Sequence, residues 1–184
     1  MTESEFFNLA KQGYNRIPVV LETFADLDTP LSIYLKLANR PYSYLLESVR
    51  GGERFGRYSF IGLPASTRIE VRSNCINIIN DQGSERVEAE DPLSFIQSYL
   101  LRFKVAPCSG LPRFCGGLVG YFAYETVRYI ERKLADHVSP DSLDLPDILL
   151  LLSEELIVVD NLSGKLYLII YTEPSIAGAY KETK

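Results

Sequence analysis

The side chains best suited to binding or catalysis lie in two short stretches on either side of a glycine pair. Leu45-Leu46-Glu47-Ser48 precedes Gly51-Gly52, and Ser59 follows it within Gly56-Arg57-Tyr58-Ser59-Phe60. A carboxylate and two hydroxyls at the mouth of an apolar pocket would bind the ammonium group of a small ligand, because charge-assisted hydrogen bonds are strong there. The same pattern also fits a strand end with a solvated Glu47 and a serine that caps the turn.

Other candidates for chemistry are weaker. His137, the single histidine, lies in a polar stretch typical of a loop, which disfavours a Cys/His nucleophilic pair. Gly116-Gly117-Leu118-Val119-Gly120 matches neither GxGxxG nor GxxxxGK followed by Ser or Thr, so close packing is the favoured interpretation. Glu154 and Glu155 are adjacent, and adjacent strand residues point to opposite faces. We therefore predict no catalytic residue and no metal site in this chain.

Composition excludes several classes of protein. The 184 residues are 46% apolar and 23% charged, which is typical of one folded, water-soluble domain. No apolar run approaches the roughly 20 residues that span a bilayer, so we expect no membrane partner. The net charge of -5 repels phosphate backbones and argues against a nucleic-acid partner. The start of the chain, Met1-Thr2-Glu3-Ser4-Glu5, is acidic where a targeting signal would be basic, so a cytoplasmic location is expected.

Helix and strand signals are interspersed along the chain. Thr29-Pro30 and Asp91-Pro92 each predict a helix start, with a capping side chain followed by proline at the first helical position. Helices are predicted over 4–12, from 30 to before Pro41, from 92 to before Pro107, over 125–134 and from 174 onward. Strands are predicted over 17–24, 42–49, 57–63, 67–71, 74–79, 114–124, 148–152, 156–159 and 166–171. This order indicates an α+β fold with largely antiparallel sheet and peripheral helices.

Three of these predictions concern burial and contact. The strands 42–49 and 57–63 should form a hairpin that brings Ser48 near Ser59. The glycine-containing strand 114–124 should be buried where another backbone or a ligand comes close. Leu93, Ile96, Leu100 and Phe103 should form the buried stripe of one helix, and Val127, Ile130 and Leu134 should share one stripe of another.

Four motifs, in order along the chain, resemble one enzyme family. They are 28–37 (DTPLSIYLKL), Leu45-Leu46-Glu47-Ser48 with Ser59 in 56–62 (GRYSFIG), 116–125 (GGLVGYFAYE) and 143–147 (LDLPD). Together they resemble the N-terminal region of anthranilate synthase component I, the tryptophan-pathway member of the chorismate-utilising enzymes. The resemblance extends from about Pro18 to Tyr171. It implies part of a two-domain sandwich fold whose remaining strands come from later in the chain.

The resemblance also implies where ligands would bind. Leu46, Glu47 and Ser48 match the family's L-tryptophan-binding motif, Ser59 matches its distal serine, and Pro30 matches a proline associated with feedback inhibition. Tyr58 replaces a basic residue of some bacterial relatives, so a direct role is not carried over to it. The family's chorismate- and magnesium-binding residues lie in a C-terminal half, so no cofactor is expected in this chain itself.

The resemblance implies an organisation and partners as well. Residues 1–184 are expected to be the N-terminal regulatory, tryptophan-binding domain of a longer subunit, inactive without its C-terminal catalytic domain. A glutamine amidotransferase, component II, is the expected protein partner. Two alternatives stay open: the corresponding domain of 4-amino-4-deoxychorismate synthase component I, in the folate pathway, or a structural scaffold that binds no ligand.

Overall fold

The computed structural model describes residues 1–25, 27–50, 54–134, 143–176 and 178–183. Two features of the sequence, His137 and the Gly51-Gly52 pair, lie outside the described residues. The chain divides into two compact units that are each discontinuous in sequence. Unit 1 comprises 1–65, 103–117 and 153–184, and unit 2 comprises 66–102 and 118–152.

The strands and helices follow the predicted order closely. The strands are β1 Ile17–Phe24, β2 Tyr44–Arg50, β3 Arg54–Gly62, β4 Arg68–Arg72, β5 Cys75–Asn80, β6 Gly83–Glu88, β7 Gly117–Phe122, β8 Ile148–Ser153, β9 Glu155–Asp160 and β10 Lys165–Thr172. The helices are α1 Glu3–Lys11, α2 Pro30–Leu37, α3 Pro92–Leu100, α4 Val127–Ile130 and α5 Ala179–Glu182, with 3₁₀ turns at Tyr124–Thr126 and Arg132–Leu134. Among the described residues no helix is both long enough and apolar enough to cross a membrane.

Unit 1 is built on a five-stranded sheet in the order β1-β10-β9-β3-β2, and its four strand pairs are all antiparallel. Successive side chains of β9 point to opposite faces of the sheet, as in any strand. An apolar run in such a strand is typical of burial on both faces. Ile157 and Val159 pack on one face with Ile33 of α2. Leu156 and Val158 pack on the other face with aromatic side chains such as Phe114. The predicted apolar hairpin of β9 and β10 is therefore the centre of this unit.

Helix α2 begins as its sequence predicts. The Thr29 hydroxyl accepts a hydrogen bond from the Ser32 N–H, and the Ser32 hydroxyl accepts one from the Thr29 N–H. Pro30 occupies the first turn, where its missing N–H leaves no donor unsatisfied. The cap fixes where the helix starts, and burial of Ile33 fixes which face lies on the sheet.

Unit 2 contains the second sheet, in the order β6-β5-β4-β8-β7. Gly120 of β7 lies directly against the backbone of β8, because a Cβ at this position would lie 1.9 Å from the Leu149 carbonyl oxygen. The favoured interpretation of the glycine stretch, close approach of another backbone, is thus confirmed for Gly120. No side chain larger than hydrogen fits between these two strands there.

A carboxylate fixes the turn between β4 and β5. Asp147 accepts a hydrogen bond from the Ser73 N–H (2.8 Å) and one from the Tyr129 hydroxyl (2.7 Å). Ser73 has a φ of 52°, a conformation that disfavours most side chains, so the bond helps to hold an unfavourable turn. Burial and the bond to Asp147 raise the pKa of Tyr129 far above its ordinary value, so the hydroxyl keeps its proton.

Three of the sequence predictions are wrong. The segment 125–134 is not one helix but a short α4 between two 3₁₀ turns, and Ile130 is 67% exposed. In α3 the buried residues are Pro92, Ile96 and Tyr99, which is one residue out of phase with the predicted stripe after Ile96. Strand β7 is half-exposed because it lies at the edge of its sheet. In each case the apolar pattern alone could not tell which side has a partner.

Candidate ligand-binding site

A cavity of about 1340 Å³ in unit 1 brings several predicted site residues together. It lies at the β2–β3 hairpin and the start of α2. Its lining contains Pro30, Glu47 and Ser48 from the predicted set, but neither Leu46 nor Ser59. The other lining residues are Asp28, Thr29, Leu31, Gly56, Arg57, Tyr58, Phe60, Arg113, Asn161 and Leu162.

An irregularity in the hairpin places Ser48 in the cavity. Strand β2 pairs with β3 in antiparallel register, with Glu47 opposite Ser59, and the register shifts between Glu47 and Val49. The predicted hairpin and the proximity of its two serine-containing segments are therefore confirmed. A bulge of this kind re-aims side chains next to binding sites. Ser48 lies over Gly56, where an added Cβ would be 2.6 Å from the Ser48 Cβ.

Gly56 is thus a site residue that the sequence analysis missed. Its bare Cα leaves the space that Ser48 occupies, so the pair of a bulge and a glycine positions this hydroxyl. The only signal in the sequence was a glycine directly before a predicted strand, and several strands also contain glycine. The partner of Gly56 could be identified only from the strand register.

The two predicted residues that do not line the cavity lie on opposite faces of the sheet. Leu46 pairs with Phe60, whose ring packs edge-to-face on Phe114 at 5.1 Å. Leu46 itself is 45% exposed. Ser59 faces the other way and is 1% exposed, with the Asn161 side-chain nitrogen donating to its hydroxyl at 3.0 Å. Asn161, unlike Ser59, lines the cavity.

An ion pair holds Arg57 in place at the cavity. Its guanidinium donates to Asp160 at 3.1 Å, and the carboxylate side chain is 3% exposed. Burial opposes ionisation of Asp160, but hydrogen bonds from Arg57, the Leu162 N–H and Ser163 outweigh it and lower the pKa of that carboxyl. The bond to Asp160 in turn raises the pKa of Arg57. Asp160 lies 103 residues from Arg57 in the chain, so spacing gave no sign of this pair.

The start of α2 forms an apolar wall with its polar groups already engaged. Asp28 accepts hydrogen bonds from the Lys36 ammonium (2.6 Å) and from the Ser32 hydroxyl (2.7 Å). These bonds, the one from Lys36 first, lower the pKa of Asp28. Pro30 and Leu31 then present carbon atoms to the cavity.

The cavity therefore combines charges of both signs with apolar surface. Asp28 and Glu47 carry negative charges, that of Asp28 being paired with Lys36, and Arg57 and Arg113 carry positive ones. Pro30 and Leu162 are among the apolar lining residues. Such a lining suits a zwitterion with an apolar side chain, because the few polar groups of a pocket fix the orientation of its ligand. Across the part of the chain that the structure describes, no three His, Cys, Asp or Glu residues are grouped to hold a metal ion.

The fold is shared with a solved structure of a known enzyme component. The structure is similar to that of anthranilate synthase component I from Streptococcus pneumoniae, with a TM-score of 0.56 and 21% identity, over 88% of this chain and 34% of that one. The α+β class predicted from the sequence is confirmed, with two antiparallel sheets and few helices. No family model matches the chain.

Sequence comparison gives a more particular assignment. The chain is 52% identical over 183 residues to anthranilate synthase component 1 of Pseudomonas putida, covering 99% of this chain and 37% of that protein. It is 54% identical over 189 residues to that of Neisseria meningitidis serogroup C, covering 100% and 38%. It is also 38% identical to that of Aquifex aeolicus, covering 94% and 35%.

The resemblance drawn from the motifs is therefore confirmed, and this chain is a homologue of anthranilate synthase component 1. It spans a little over a third of the length of the curated relatives it matches.

Proposed function

We propose that this chain is the N-terminal regulatory part of an anthranilate synthase component I and that its cavity binds L-tryptophan as a feedback inhibitor. The whole subunit converts chorismate, with ammonia released from glutamine, into anthranilate and pyruvate. One observation carries the proposal: Pro30, Glu47 and Ser48, taken from two separate motifs of the resemblance, line one cavity of about 1340 Å³.

The chemistry of the lining supports an amino acid as the ligand. The Glu47 carboxylate is suited to the ammonium group, and the Arg57 guanidinium, held by Asp160, is suited to the carboxylate. The apolar surface at Pro30 and Leu162 would cover an indole ring. Opposite charges at one apolar cavity favour a zwitterion over a simple amine or a simple acid.

Regulation would follow from differential affinity. Tryptophan inhibits if it binds more tightly to the arrangement of the subunit that does not close on chorismate. The residues that bind chorismate and Mg²⁺ are proposed to lie in the C-terminal catalytic domain, outside this chain, so residues 1–184 alone are expected to be inactive. The proposed partner is the glutamine amidotransferase subunit, and the proposed location is the cytoplasm.

The reaction is tested by product analysis of the full-length protein. With chorismate, Mg²⁺ and ammonium salt, we expect anthranilate and pyruvate, measured by fluorescence and by a coupled dehydrogenase assay. Formation of 4-amino-4-deoxychorismate without pyruvate would identify the folate-pathway alternative instead. Because free ammonia replaces glutamine, the result does not depend on the amidotransferase.

The tryptophan site is tested by Ser48→Ala in the full-length protein. Loss of a hydroxyl that meets a charged ligand group removes about 1.5 to 3 kcal/mol of binding. We therefore expect the tryptophan concentration for half-inhibition to rise by about 10-fold or more, with each rate normalised to that variant's own uninhibited rate.

The matched control is Ser84→Ala, which removes an exposed hydroxyl from β6 in unit 2. It should leave the half-inhibition concentration within 2-fold of the unsubstituted protein. An equal response of the two variants would contradict the role of Ser48. Full activity with no inhibition of the unsubstituted protein by tryptophan would favour the scaffold alternative.

A further inference from the structure

A residue of the predicted motif, Ser59, and a residue outside the motifs, Asn161, have different relations to the cavity. Ser59 belongs to the motif, yet it is 1% exposed and does not line the cavity. Asn161 belongs to no motif singled out in the sequence, yet it is exposed, lines the cavity and donates a hydrogen bond to the Ser59 hydroxyl. A ligand in this cavity meets Asn161 before it can reach Ser59.

Asn161 is fixed to β3 by three hydrogen bonds. Its backbone N–H donates to the Arg57 carbonyl at 2.7 Å. Its side-chain nitrogen donates to the Gly56 carbonyl at 2.9 Å and to the Ser59 hydroxyl at 3.0 Å. Since a carbonyl cannot donate, the bond to Gly56 fixes which end of the amide is the nitrogen. Both of its protons are then used, and the orientation of the side chain is determined.

The carbonyl oxygen of the Asn161 side chain is what this arrangement leaves for a ligand. No described residue donates a hydrogen bond to that oxygen. An amide oxygen can only accept, so its natural partner is a donor such as an ammonium group. Glu47 lines the same cavity and is also an acceptor. The two together match an ammonium group, which has three protons to donate.

The hairpin turn does not need the Asn161 side chain to close. The Gly164 N–H donates to the Asp160 carbonyl at 2.9 Å, and the Leu162 N–H donates to the Asp160 carboxylate at 3.1 Å. Asn80, at the β5–β6 turn, shows the ordinary role of an asparagine in a turn: its side-chain oxygen accepts a hydrogen bond from the N–H of Gln82, two residues further along the chain. Asn161 instead donates across to another strand.

We propose, on the basis of the tryptophan site above, that Asn161 binds the ammonium group of the ligand through its side-chain oxygen. Ser59 is then a positioning residue that holds the Asn161 amide and does not touch the ligand. Substitution of Ser59 acts on binding only because it releases Asn161. The proposal adds a ligand contact to the site and changes the role of a motif residue.

A double-mutant cycle tests both roles. L-Tryptophan binding to the full-length protein is measured by calorimetry for the unsubstituted protein, Ser59→Ala, Asn161→Ala and the double variant. Asn161→Ala should weaken binding by about 10- to 100-fold, as expected for a hydrogen bond to a charged group. Ser59→Ala should weaken it when Asn161 is present and by less than 2-fold further when Asn161 is already alanine.

Several outcomes would overturn the proposal. An equal factor for Ser59→Ala in both backgrounds would show direct contact of Ser59 with the ligand. Tryptophan affinity within 2-fold of the parent for Asn161→Ala would exclude Asn161 as a contact. Absence of binding by the unsubstituted protein would overturn the proposed function along with this inference, whereas the first two results overturn the inference alone.

Two controls separate binding from folding. Asn80→Ala removes a hairpin-turn asparagine outside the cavity lining and should leave the affinity within 2-fold. Indole-3-propionate, which has no ammonium group, should bind Asn161→Ala and the parent equally by ligand-observed NMR, while a collapsed cavity would lose both ligands. If Asn161→Ala melts below the assay temperature, Asn161→Ser replaces it, because it keeps a polar turn residue.

Discussion

Replacement of Gly120 by alanine should destabilise the sheet of unit 2 by about 3 kcal/mol or more. The added Cβ would lie 1.9 Å from the Leu149 carbonyl oxygen, 2.9 Å from the Leu149 carbonyl carbon and 3.0 Å from the Leu150 Cα. All three are backbone atoms of the neighbouring strand, so no side-chain rotation can relieve the contact. Strands β7 and β8 would have to separate, and their hydrogen bonds would be lost. Urea unfolding of the full-length protein measures the change.

The matched substitution is Gly117→Ala in the same strand. Gly117 has a φ of 119°, which disfavours alanine, but among the described residues no atom beyond its own chain neighbours lies within 4 Å of the position of its missing Cβ. Its expected cost is about 1 kcal/mol, from backbone strain alone. A comparison of the two variants therefore isolates the steric contribution at Gly120. Equal unfolding midpoints for Gly120→Ala and the parent would contradict the close approach of β8.

These glycines show what the sequence could and could not predict. A glycine inside an apolar strand signals a close approach, and this expectation is confirmed for Gly120. The sequence does not say what comes close, because the partner, Leu149, is supplied by strand pairing at a distance. For the same reason the predicted burial of β7 was wrong, since an edge strand and a central strand can have the same apolar pattern.

Local signals were reliable where the chemistry is local. The caps of α2 and α3 involve residues within three positions of one another, so Thr29 and Asp91 could be identified from the sequence. Buried stripes were less reliable, because burial depends on the element opposite. In α3 the last buried side chain is Tyr99 and not Leu100, because packing and not the helical period determines which side chain is buried there.

The residues of the candidate site also divide into those that could be predicted from the sequence and those that could not. The hairpin segment with Glu47 and Ser48 was predictable because residue types, turn and motif all lie within one stretch of chain. Asn161 and Asp160 come to the same place from about 100 residues away, through the pairing of β9 with β3. Their role depends on which strand lies beside β3, and nothing in the spacing of the sequence encodes that choice.

Glu47→Gln should weaken ligand binding through the loss of charge alone. The substitution keeps the size of the side chain and its ability to accept a hydrogen bond, but it removes the negative charge that faces the proposed ammonium group. A charge-assisted hydrogen bond contributes roughly twice as much as a neutral one, so we expect a loss of about 1 to 1.5 kcal/mol. That corresponds to a dissociation constant for L-tryptophan that is about 5- to 10-fold higher, measured by calorimetry on the full-length protein.

The charge and not the position of the side chain must account for this loss. Glu155→Gln neutralises another exposed strand carboxylate of unit 1 that lies outside the cavity lining, and it should leave the affinity within 2-fold. Glu47→Asp keeps the charge on a shorter side chain and should bind more tightly than Glu47→Gln. If Glu47→Gln and Glu47→Asp were equally impaired, geometry would be the determinant. Unimpaired binding by Glu47→Gln would mean that the ammonium group lies elsewhere, with Asn161 as its remaining acceptor among the residues argued above.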